Sequence, residues 1–303
     1  MRTFKLLKQF FIPKKNIVGK AKRAGIFPKE KFQNKFFEID YLANSQRTPA
    51  IEDVFAGKID GIIVRNFLTR KTREKVKTKI SNWQYSTTLP FHHGVNIGRD
   101  LFSAKDDLEL YTKEVNRHIE GLDRLFETDY IALINNLFRR LSLLEVNPAP
   151  RGDKHTYSPS TIRVINPNVG IGFQEHVGNE FMKYMSQCKE IRDHVFDEDQ
   201  LSFFMVIQKP EAGGELTLFD LVWKDSPKYL FEDEGTNKKG RERADYLSKF
   251  KNIQIELNEG DLIIFDGGRI WHKVNEVKGD TQRITMGGFM GLSRNGDGLY
   301  YWV

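Results

Sequence analysis

The sequence has very little cysteine, with Cys188 as its one thiol, and it has no apolar run long enough to cross a bilayer. A single thiol excludes an internal disulfide and any zinc site built mainly from cysteines. It also fits a reducing compartment such as the cytoplasm, because disulfides are typical of oxidising ones. No segment is low in complexity, and 39% hydrophobic and 12% aromatic residues among 303 are enough for one large domain or two.

Negative charge is scarce only at the beginning of the chain. Residues 1–31 contain ten basic residues and one acid, Glu30, so they carry +9, whereas the whole chain carries +6. The remaining 272 residues therefore sum to −3. Because the basic character belongs to this extension and not to the globular body, the composition argues against a nucleic-acid enzyme with a basic cleft.

Residues 1–11 (MRTFKLLKQFF) have helical periodicity, since Phe4, Leu7 and Phe11 fall on one face with lysines beside it. A basic amphipathic helix suits a membrane surface or an organellar address. We favour a third interpretation, a helix docked on its own domain and followed by a basic linker through Lys31. Lysines interrupt each apolar stretch, so the pattern does not indicate a secretory signal.

The next part of the chain is largely helical by pattern. The run Asp60–Val64 predicts one buried strand, and Thr69 is a suitable N-cap for the helix that follows. Apolar residues then recur every three or four positions from 106 to 145, as expected for helices. Two prolines and a glycine in residues 147–152 (NPAPRG) predict a break. We therefore expect a basic extension (1–47) and one domain (48–303), in which 48–152 support a core formed by 153–303.

Residues 153–303 have the pattern of short strands separated by turns. The predicted strands are 157–165, 201–208, 215–222, 261–265, 271–274 and 283–292. Short antiparallel strands favour a jelly roll or barrel, so the predicted class is α+β with a mainly β core and an N-terminal helical layer. One charged, helix-prone insertion, Phe231–Lys251, is either a lid over the mouth of this core or a plain surface helix.

Two histidines and a glycine form the most informative pattern, His176-Val177-Gly178 with the distant His272. On a strand, residues 176 and 178 face the same side. A carboxylate at 178 would complete the two-histidine, one-carboxylate set that binds Fe(II) in non-haem oxygenases. Glycine has no side chain to offer, so we predict an iron site with one protein ligand missing.

Two glutamates flank this pattern and compete for the vacant position. Glu175 would point to the opposite face of the strand, whereas Glu180 would lie on the correct face if the strand continued. Glu180 therefore remains an alternative iron ligand. The other histidines have no partner at ligand spacing and are interpreted as structural or surface residues, with a pocket border as the alternative for the first two: His92, His93, His118, His155 and His194.

Arg283 follows His272 by eleven residues, which suits a neighbouring antiparallel strand. Its side chain lies in an otherwise apolar strand, where an unpaired charge would be costly. Arginine binds carboxylates through two parallel hydrogen bonds, and Thr285 on the same face has a hydroxyl for the same group. We therefore expect Arg283 and Thr285 to bind a buried carboxylate.

The His-x-Gly pattern, the turn 213–216 (GGEL), the distant His272 and the pair Arg283-x-Thr285 together resemble the Fe(II)/2-oxoglutarate oxygenase superfamily, whose core is a double-stranded β-helix. Longer strings resemble one branch, the freestanding halogenases of cyanobacterial indole-alkaloid pathways of the hapalindole and welwitindolinone type. These strings are 176–179 (HVGN), 210–216 (PEAGGEL), 265–269 (FDGGR), 287–289 (GGF) and 300–302 (YYW). The resemblance runs from about residue 48 to residue 303 and does not cover residues 1–31.

This resemblance implies a radical halogenase that uses Fe(II), 2-oxoglutarate, O₂ and chloride or bromide. His176 and His272 would bind the metal, and 2-oxoglutarate would chelate it while Arg283 and Thr285 hold the far carboxylate. The halide would take the place that Gly178 leaves, and it would replace the missing negative charge.

Two further residues gain a role only through the resemblance. Ser202 matches a serine close to the metal that biases the outcome toward halogen transfer, and Asn179 would support the site from behind the ligands. The implied substrate is a diffusible small molecule, hydrophobic and alkaloid-like, and the sequence has no signature for docking a carrier protein. Two alternatives remain: a hydroxylase or desaturase with water or Glu180 at the vacant position, and a barrel that binds a ligand without catalysis.

Overall fold

The computed structural model describes residues 31–43, 46–91, 93–101, 103, 108–170, 172–196, 198, 200–231 and 237–303. The predicted helix at 1–11, the rest of residues 1–30 of the basic extension and His92 lie outside these residues. Among the described residues, no helix is both long and apolar enough to cross a membrane.

Seven α-helices and eighteen strands make up the described part of the fold. The helices are α1 (Ala50–Phe55), α2 (Arg70–Ser81), α3 (Leu108–Phe126), α4 (Tyr130–Leu141), α5 (Gly178–Tyr184), α6 (Lys189–His194) and α7 (Asn237–Leu247). The strands are β1 (Phe36–Asp40), β2 (Gly61–Arg65), β3 (Thr88–Phe91), β4 (Gly94–Ile97), β5 (Glu145–Pro148), β6 (Pro150–Arg151), β7 (His155–Thr156), β8 (Thr161–Ile165), β9 (Phe173–His176), β10 (Leu201–Gln208), β11 (Ala212–Gly213), β12 (Leu216–Val222), β13 (Asn252–Ile255), β14 (Leu262–Phe265), β15 (Ile270–Val274), β16 (Val277–Lys278), β17 (Arg283–Leu292) and β18 (Gly298–Trp302).

Two sheets form the core, and the chain alternates between them. The large sheet has the order β1-β2-β14-β10-β17-β8-β4-β3, with β18 pairing with β17 and β5 pairing with β18. The small sheet has the order β13-β12-β15-β9. From β8 onward the chain places β8, β10, β14 and β17 in the large sheet and β9, β12, β13 and β15 in the small one. This winding is a double-stranded β-helix, and it confirms the predicted α+β class with a mainly β core.

The two faces of the large sheet differ because strand residues alternate. On β10, Phe203 points outward into a core shared with the helices, whereas Ser202 points into the space between the sheets. On β17, Met286 points outward, and Arg283 and Thr285 line the inner space. The inner face therefore brings together polar side chains that are far apart in the sequence.

Helices from the N-terminal half cover the outer face of this sheet. Helix α2 begins as predicted, since the side chain of Thr69 accepts a hydrogen bond from the backbone N–H of Thr72, and Asp129 caps α4 in the same way. Their apolar faces share one buried cluster with β10, β14 and β17, to which the helices contribute Val76, Ile80, Leu122, Leu125, Ile134, Leu137, Phe138 and Leu141. The predicted helical layer is confirmed.

The predicted break at 147–152 contains strand residues instead, at the end of β5 and in β6, which pairs with β7. Strand β5 ends at Pro148 and pairs in parallel with β18 near the end of the chain. Proline is tolerated there because β5 is an edge strand, where a missing N–H costs little. Residues 36–40 likewise form β1, which pairs in parallel with β2. The globular fold therefore begins before residue 48, and 48–152 supplies strands as well as helices.

Candidate metal centre

His176 and His272 lie side by side in the small sheet. Strands β9 and β15 are antiparallel, and the two histidines are directly opposite each other in the register. Their ring centroids are 4.1 Å apart. The register shifts immediately afterwards, between His272 and Val274, an irregularity that is common next to active sites. Both side chains line the cavity between the two sheets.

Each imidazole is fixed by its own strand in the same way. Nδ1 of His176 lies 2.8 Å from the carbonyl oxygen of Gln174, and Nδ1 of His272 lies 2.9 Å from that of Ile270. A carbonyl oxygen only accepts hydrogen bonds, so Nδ1 carries the proton and Nε2 keeps its lone pair, as in metal-binding histidines.

Burial keeps both rings neutral. It lowers the pKa of His272 to about 4. It also lowers the pKa of His176 well below its usual value, and the neighbouring His272 adds to this effect. Two neutral imidazoles, each with a free Nε2, are ready to bind a metal ion without first losing a proton.

Gly178 does not continue the strand, contrary to the prediction. Strand β9 ends at His176 and helix α5 begins at Gly178, so strand periodicity does not govern where residue 178 faces. A Cβ atom at this position would lie 2.2 Å from the amide nitrogen of Gln200 and 3.2 Å from the carbonyl oxygen of Gly267. The position therefore has no room for a side chain while Gln200 stays in place.

No third histidine, cysteine, aspartate or glutamate joins the two histidines in the part of the chain that the structure describes. Glu175 forms an ion pair with Lys273 at 3.1 Å, at a different opening from the histidines. Glu180, the alternative ligand, lies in α5 and not on a continued strand. Its carboxylate accepts a hydrogen bond from Arg243 of α7. Arg243 belongs to the 231–251 insertion, so this insertion holds Glu180, the predicted alternative ligand.

A Gly-Gly turn holds the start of α5 against β10. The backbone N–H of Gly178 donates to the carbonyl oxygen of Gly267 at 2.7 Å, and that of Asn179 donates to Gly268 at 3.0 Å. A Cβ atom on Gly267 would lie 2.3 Å from Oγ of Ser202, so only glycine permits this close approach. The side chain of Asn179 is buried against Gly268.

A buried ion cluster lies behind that turn. Arg269 bonds Asp266 at 2.9 Å and lies 3.6 Å from Asp60, and all three side chains are almost inaccessible to solvent. Charges buried this deeply are stable only when each has its partners, so the cluster fixes the turn in one conformation.

Arg283 is a buried cation elsewhere on the cavity wall. Its Nε donates to the carbonyl oxygen of Gly214 at 2.8 Å, and its Nη1 donates to Oγ1 of Thr285 at 3.1 Å. Gly213 and Gly214 have φ angles of 73° and 72°, so the predicted Gly-Gly-Glu-Leu turn needs both glycines to present that carbonyl. Among the described residues these bonds go to a carbonyl and a hydroxyl and none goes to a carboxylate, and Glu215 acts on Arg283 only by charge attraction without a direct ion pair. Burial lowers its pKa to about 9, and Arg163 adds to this effect.

Arg163 is a second cation on the cavity wall, which the sequence analysis missed. It belongs to β8 and lies opposite Thr285 of the neighbouring strand β17. Its Nε donates to Oδ1 of Asn96 at 3.2 Å, and its guanidinium carbon is 4.5 Å from the ring centroid of Phe173. A signal was present in the sequence. A lone arginine in the apolar strand 161–165 (TIRVI) is the same pattern that identified Arg283.

One cavity of about 180 Å³ connects these groups, with room for several water molecules or one small organic acid. Five residues singled out from the sequence line it: His176, His272, Ser202, Arg283 and Thr285. Apolar side chains complete the wall, chiefly Phe173, Phe181, Phe204, Phe265, Leu216 and Phe289. Along β10, Ser202 lies opposite Phe289 whereas Thr285 lies opposite Val206, four residues further along, which is roughly 13 Å.

The residues present fit Fe(II), 2-oxoglutarate and a halide. Two neutral imidazoles suit Fe(II) and leave its remaining positions to ligands from outside the protein. A buried guanidinium beside a hydroxyl suits the planar carboxylate of 2-oxoglutarate. The buried amide nitrogen of Gln200 has no hydrogen-bond partner within the described residues and faces the position that Gly178 leaves without a side chain. All three features call for anions that the chain itself does not supply.

The sequence matches the family described as carrier-protein-independent halogenase WelO5 over residues 33–303. The fold is similar to that of an N-substituted L-amino acid dioxygenase from Burkholderia ambifaria AMMD, with a TM-score of 0.58, 18% sequence identity and coverage of 84% of this chain and 90% of that one. A structure of an N-substituted L-amino acid dioxygenase from the same organism in complex with alpha-KG gives 0.52 and 16% over the same shares. At such identities the likeness concerns the fold alone. A comparison with curated proteins gives no match.

Proposed function

The chain belongs to the carrier-protein-independent halogenase family WelO5, and from that premise we propose that it halogenates an unactivated aliphatic C–H bond of a freely diffusing small molecule. The protein is an oxidoreductase that depends on Fe(II) and 2-oxoglutarate. The observation that carries the proposal is the pair of neutral histidines, His176 and His272, with no carboxylate completing the set among the described residues. An oxygenase that hydroxylates would have an aspartate or glutamate there.

In this proposal each group on the cavity wall has one task. His176 and His272 bind Fe(II) through Nε2, in the orientation that their Nδ1 hydrogen bonds already fix. Arg283 and Thr285 bind the far carboxylate of 2-oxoglutarate, which supplies the buried cation with its missing partner. When bound, the iron, O₂ and 2-oxoglutarate supply the oxidising power that removes a hydrogen atom from the substrate.

The halide takes the place left by Gly178, as chloride or bromide. The position beside Gly178 cannot hold a side chain without moving Gln200, so no carboxylate from this part of the chain competes with the halide. A hydroxylase that used Glu180 is disfavoured by its hydrogen bond to Arg243.

The substrate is a small molecule with an apolar body. Phe173 and Phe181 lie against His176, and Phe289 lines the same cavity. This aromatic wall supports a hydrophobic, alkaloid-like substrate. Family membership implies that this substrate arrives free and not attached to a carrier protein. The cytoplasm suits such an enzyme, since a reducing compartment keeps iron as Fe(II) and Cys188 as a thiol.

The proposal is tested without a substrate. Protein reconstituted under nitrogen with Fe(II) and 2-oxoglutarate is titrated with chloride while the charge-transfer band of the complex is recorded. Gluconate at matched ionic strength is the control. A saturable shift that chloride produces and gluconate does not is the expected result.

Two outcomes would contradict it. A band that forms but ignores chloride would indicate a hydroxylase or desaturase with another ligand in the vacant position. No band at all would indicate a barrel that does not assemble the metal centre.

A further inference from the structure

Gln200 is buried next to Gly178, and the NH₂ group of its side-chain amide makes no hydrogen bond within the described residues. The side chain belongs to a residue that is 2% exposed, and its Nε2 has no hydrogen-bond partner among the residues that the structure describes. Burying an amide donor without a partner costs roughly 1–3 kcal/mol. A fold does not normally retain such a cost, so the unpaired N–H group indicates a ligand that accepts a hydrogen bond.

The position of this amide identifies the ligand's place. Nε2 lies 2.2 Å from the point where a Cβ atom of residue 178 would be, which is where the carboxylate-bearing side chain of a hydroxylase would begin. Gln200 immediately precedes β10, and Ser202, two residues further on, lines the cavity. The unpaired donor therefore occupies the space where the side chain of a ligand at residue 178 would begin.

Other donors around this point are already used. The backbone N–H of Gly178 is bonded to Gly267, and that of Asn179 is bonded to Gly268. Helix α5 thus has no free N–H at its first two positions to offer an anion. The amide of Gln200 is the remaining buried donor that faces residue 178 within the described residues.

We propose that Gln200 donates a hydrogen bond to the halide and holds it beside Gly178. This inference rests on the proposed function, because it needs a halide in the position that a carboxylate would otherwise fill. It assigns to Gln200 a share of halide affinity that His176 and His272 cannot provide, since both already bind the metal. It also explains why a neutral amide is suitable here: it attracts an anion without supplying a carboxylate that would itself bind iron.

The test compares Gln200→Leu with Gln208→Leu. The leucine in the first variant has nearly the same volume but no donor, and the second makes the same change at partly exposed Gln208, the last residue of β10. Chloride titrations of the Fe(II)–2-oxoglutarate protein should give an apparent Kd for chloride about 10-fold or more higher in Gln200→Leu, the usual loss for a hydrogen bond to a charged group. The Kd for 2-oxoglutarate should be unchanged in both variants.

A second measurement does not depend on the variant folding. Crystals of the wild-type protein with Fe(II), 2-oxoglutarate and bromide locate the halide by its anomalous signal. The proposal expects the bromide within hydrogen-bonding distance of Nε2 of Gln200. A bromide on iron but turned away from Gln200, or a chloride Kd that is unchanged in Gln200→Leu, would overturn the inference and leave the halogenase intact. A wild-type protein that binds no halide at all would instead remove the proposed function.

Discussion

The cavity has two ends, and each lacks a carboxylate in a different way. The metal end consists of His176, His272 and Gly178, where a carboxylate is missing from a site that would bind a dication. The carboxylate end consists of Arg283 and Thr285, where a buried guanidinium makes no hydrogen bond to a carboxylate of the described residues. At the metal end the amide of Gln200 lies where a side chain of residue 178 would begin. At the carboxylate end a buried, planar guanidinium lines the cavity.

Under the proposed function, the difference between the ends lets one site distinguish two anions. Shape selects at each end: a planar carboxylate satisfies a guanidinium fork, and a single spherical ion satisfies one N–H donor beside a glycine. Neither end is electrostatically complete without its ligand. Binding of 2-oxoglutarate and halide therefore contributes to the stability of the loaded protein by mass action.

The largest expected effect comes from breaking the metal end itself. His272→Ala should abolish the Fe(II)–2-oxoglutarate charge-transfer band, because losing a ligand costs more than the roughly 10–100-fold that losing a ligand's hydrogen-bond partner costs. His155→Ala, a change at an exposed histidine of β7, is the matched control and should leave the band intact. Anaerobic spectra of both variants at equal Fe(II) make the measurement. A normal band in His272→Ala would remove this histidine from the ligand set.

The next largest effect comes from replacing the halide at the metal end with a side-chain carboxylate. Gly178→Asp should abolish the chloride response, since the new carboxylate takes the halide's place. The new Cβ would meet Gln200 at 2.2 Å, so Gln200 must move. Gly178→Asp combined with Gln200→Ala removes that clash and should hydroxylate the substrate more efficiently than the single variant does. Mass spectrometry of the products and the spectroscopic chloride titration provide the two readouts.

The backbone conformation at residue 178 does not oppose the substitution of glycine by aspartate. Gly178 does not have the positive φ angle that would require glycine, so only the contact with Gln200 stands against a side chain. Gly178→Ala combined with Gln200→Ala is the control, because it adds a Cβ without a carboxylate. Chlorination that persists at the wild-type level in Gly178→Asp would contradict the vacant-ligand argument.

A third change addresses the carboxylate end alone. Arg283→Met should raise the Kd for 2-oxoglutarate by roughly 100-fold, because it removes a bidentate, charge-assisted pair of hydrogen bonds. Arg283→Lys keeps the positive charge but loses the planar fork of donors. Its Kd for 2-oxoglutarate should therefore lie between those of Arg283→Met and the wild type. Arg70→Met, at an exposed position of α2, is the control. The band is titrated with 2-oxoglutarate at saturating Fe(II), and equal affinity in Arg283→Met would assign the carboxylate to Arg163 instead.

Strand periodicity is what made the carboxylate end predictable from sequence. Strands β10 and β17 have the predicted bounds, Leu201–Gln208 and Arg283–Leu292, because both are long apolar runs between clear turns. Once β17 is a strand, Arg283 and Thr285 must share a face. The two histidines were also identified, although the antiparallel pairing that brings them together depends on contacts between distant parts of the chain.

The rest depends on how distant segments meet, which a local pattern does not encode. The strand that was expected to carry residue 178 ends at His176, and the close approach of Gln200 to Gly178 arises only when β10 packs beside α5. Pairing of β5 with β18 is similarly non-local, and NPAPRG therefore looked like a break. Arg163 is the exception, since its apolar strand marked it as clearly as that of Arg283 did.

The smallest expected effect is at Ser202, which lies at the metal end but carries no charge. Its hydroxyl opens onto the cavity next to the turn that holds α5, so it is placed to orient a reacting group and not to bind an anion. Ser202→Ala should leave the Kd values for 2-oxoglutarate and chloride unchanged and lower the ratio of halogenated to hydroxylated product a few-fold. Ser186→Ala, at an exposed serine, is the matched control. If the product ratio stays constant while the chloride Kd rises, Ser202 holds the halide together with Gln200, and the metal end then has two donors for its anion, as the carboxylate end does.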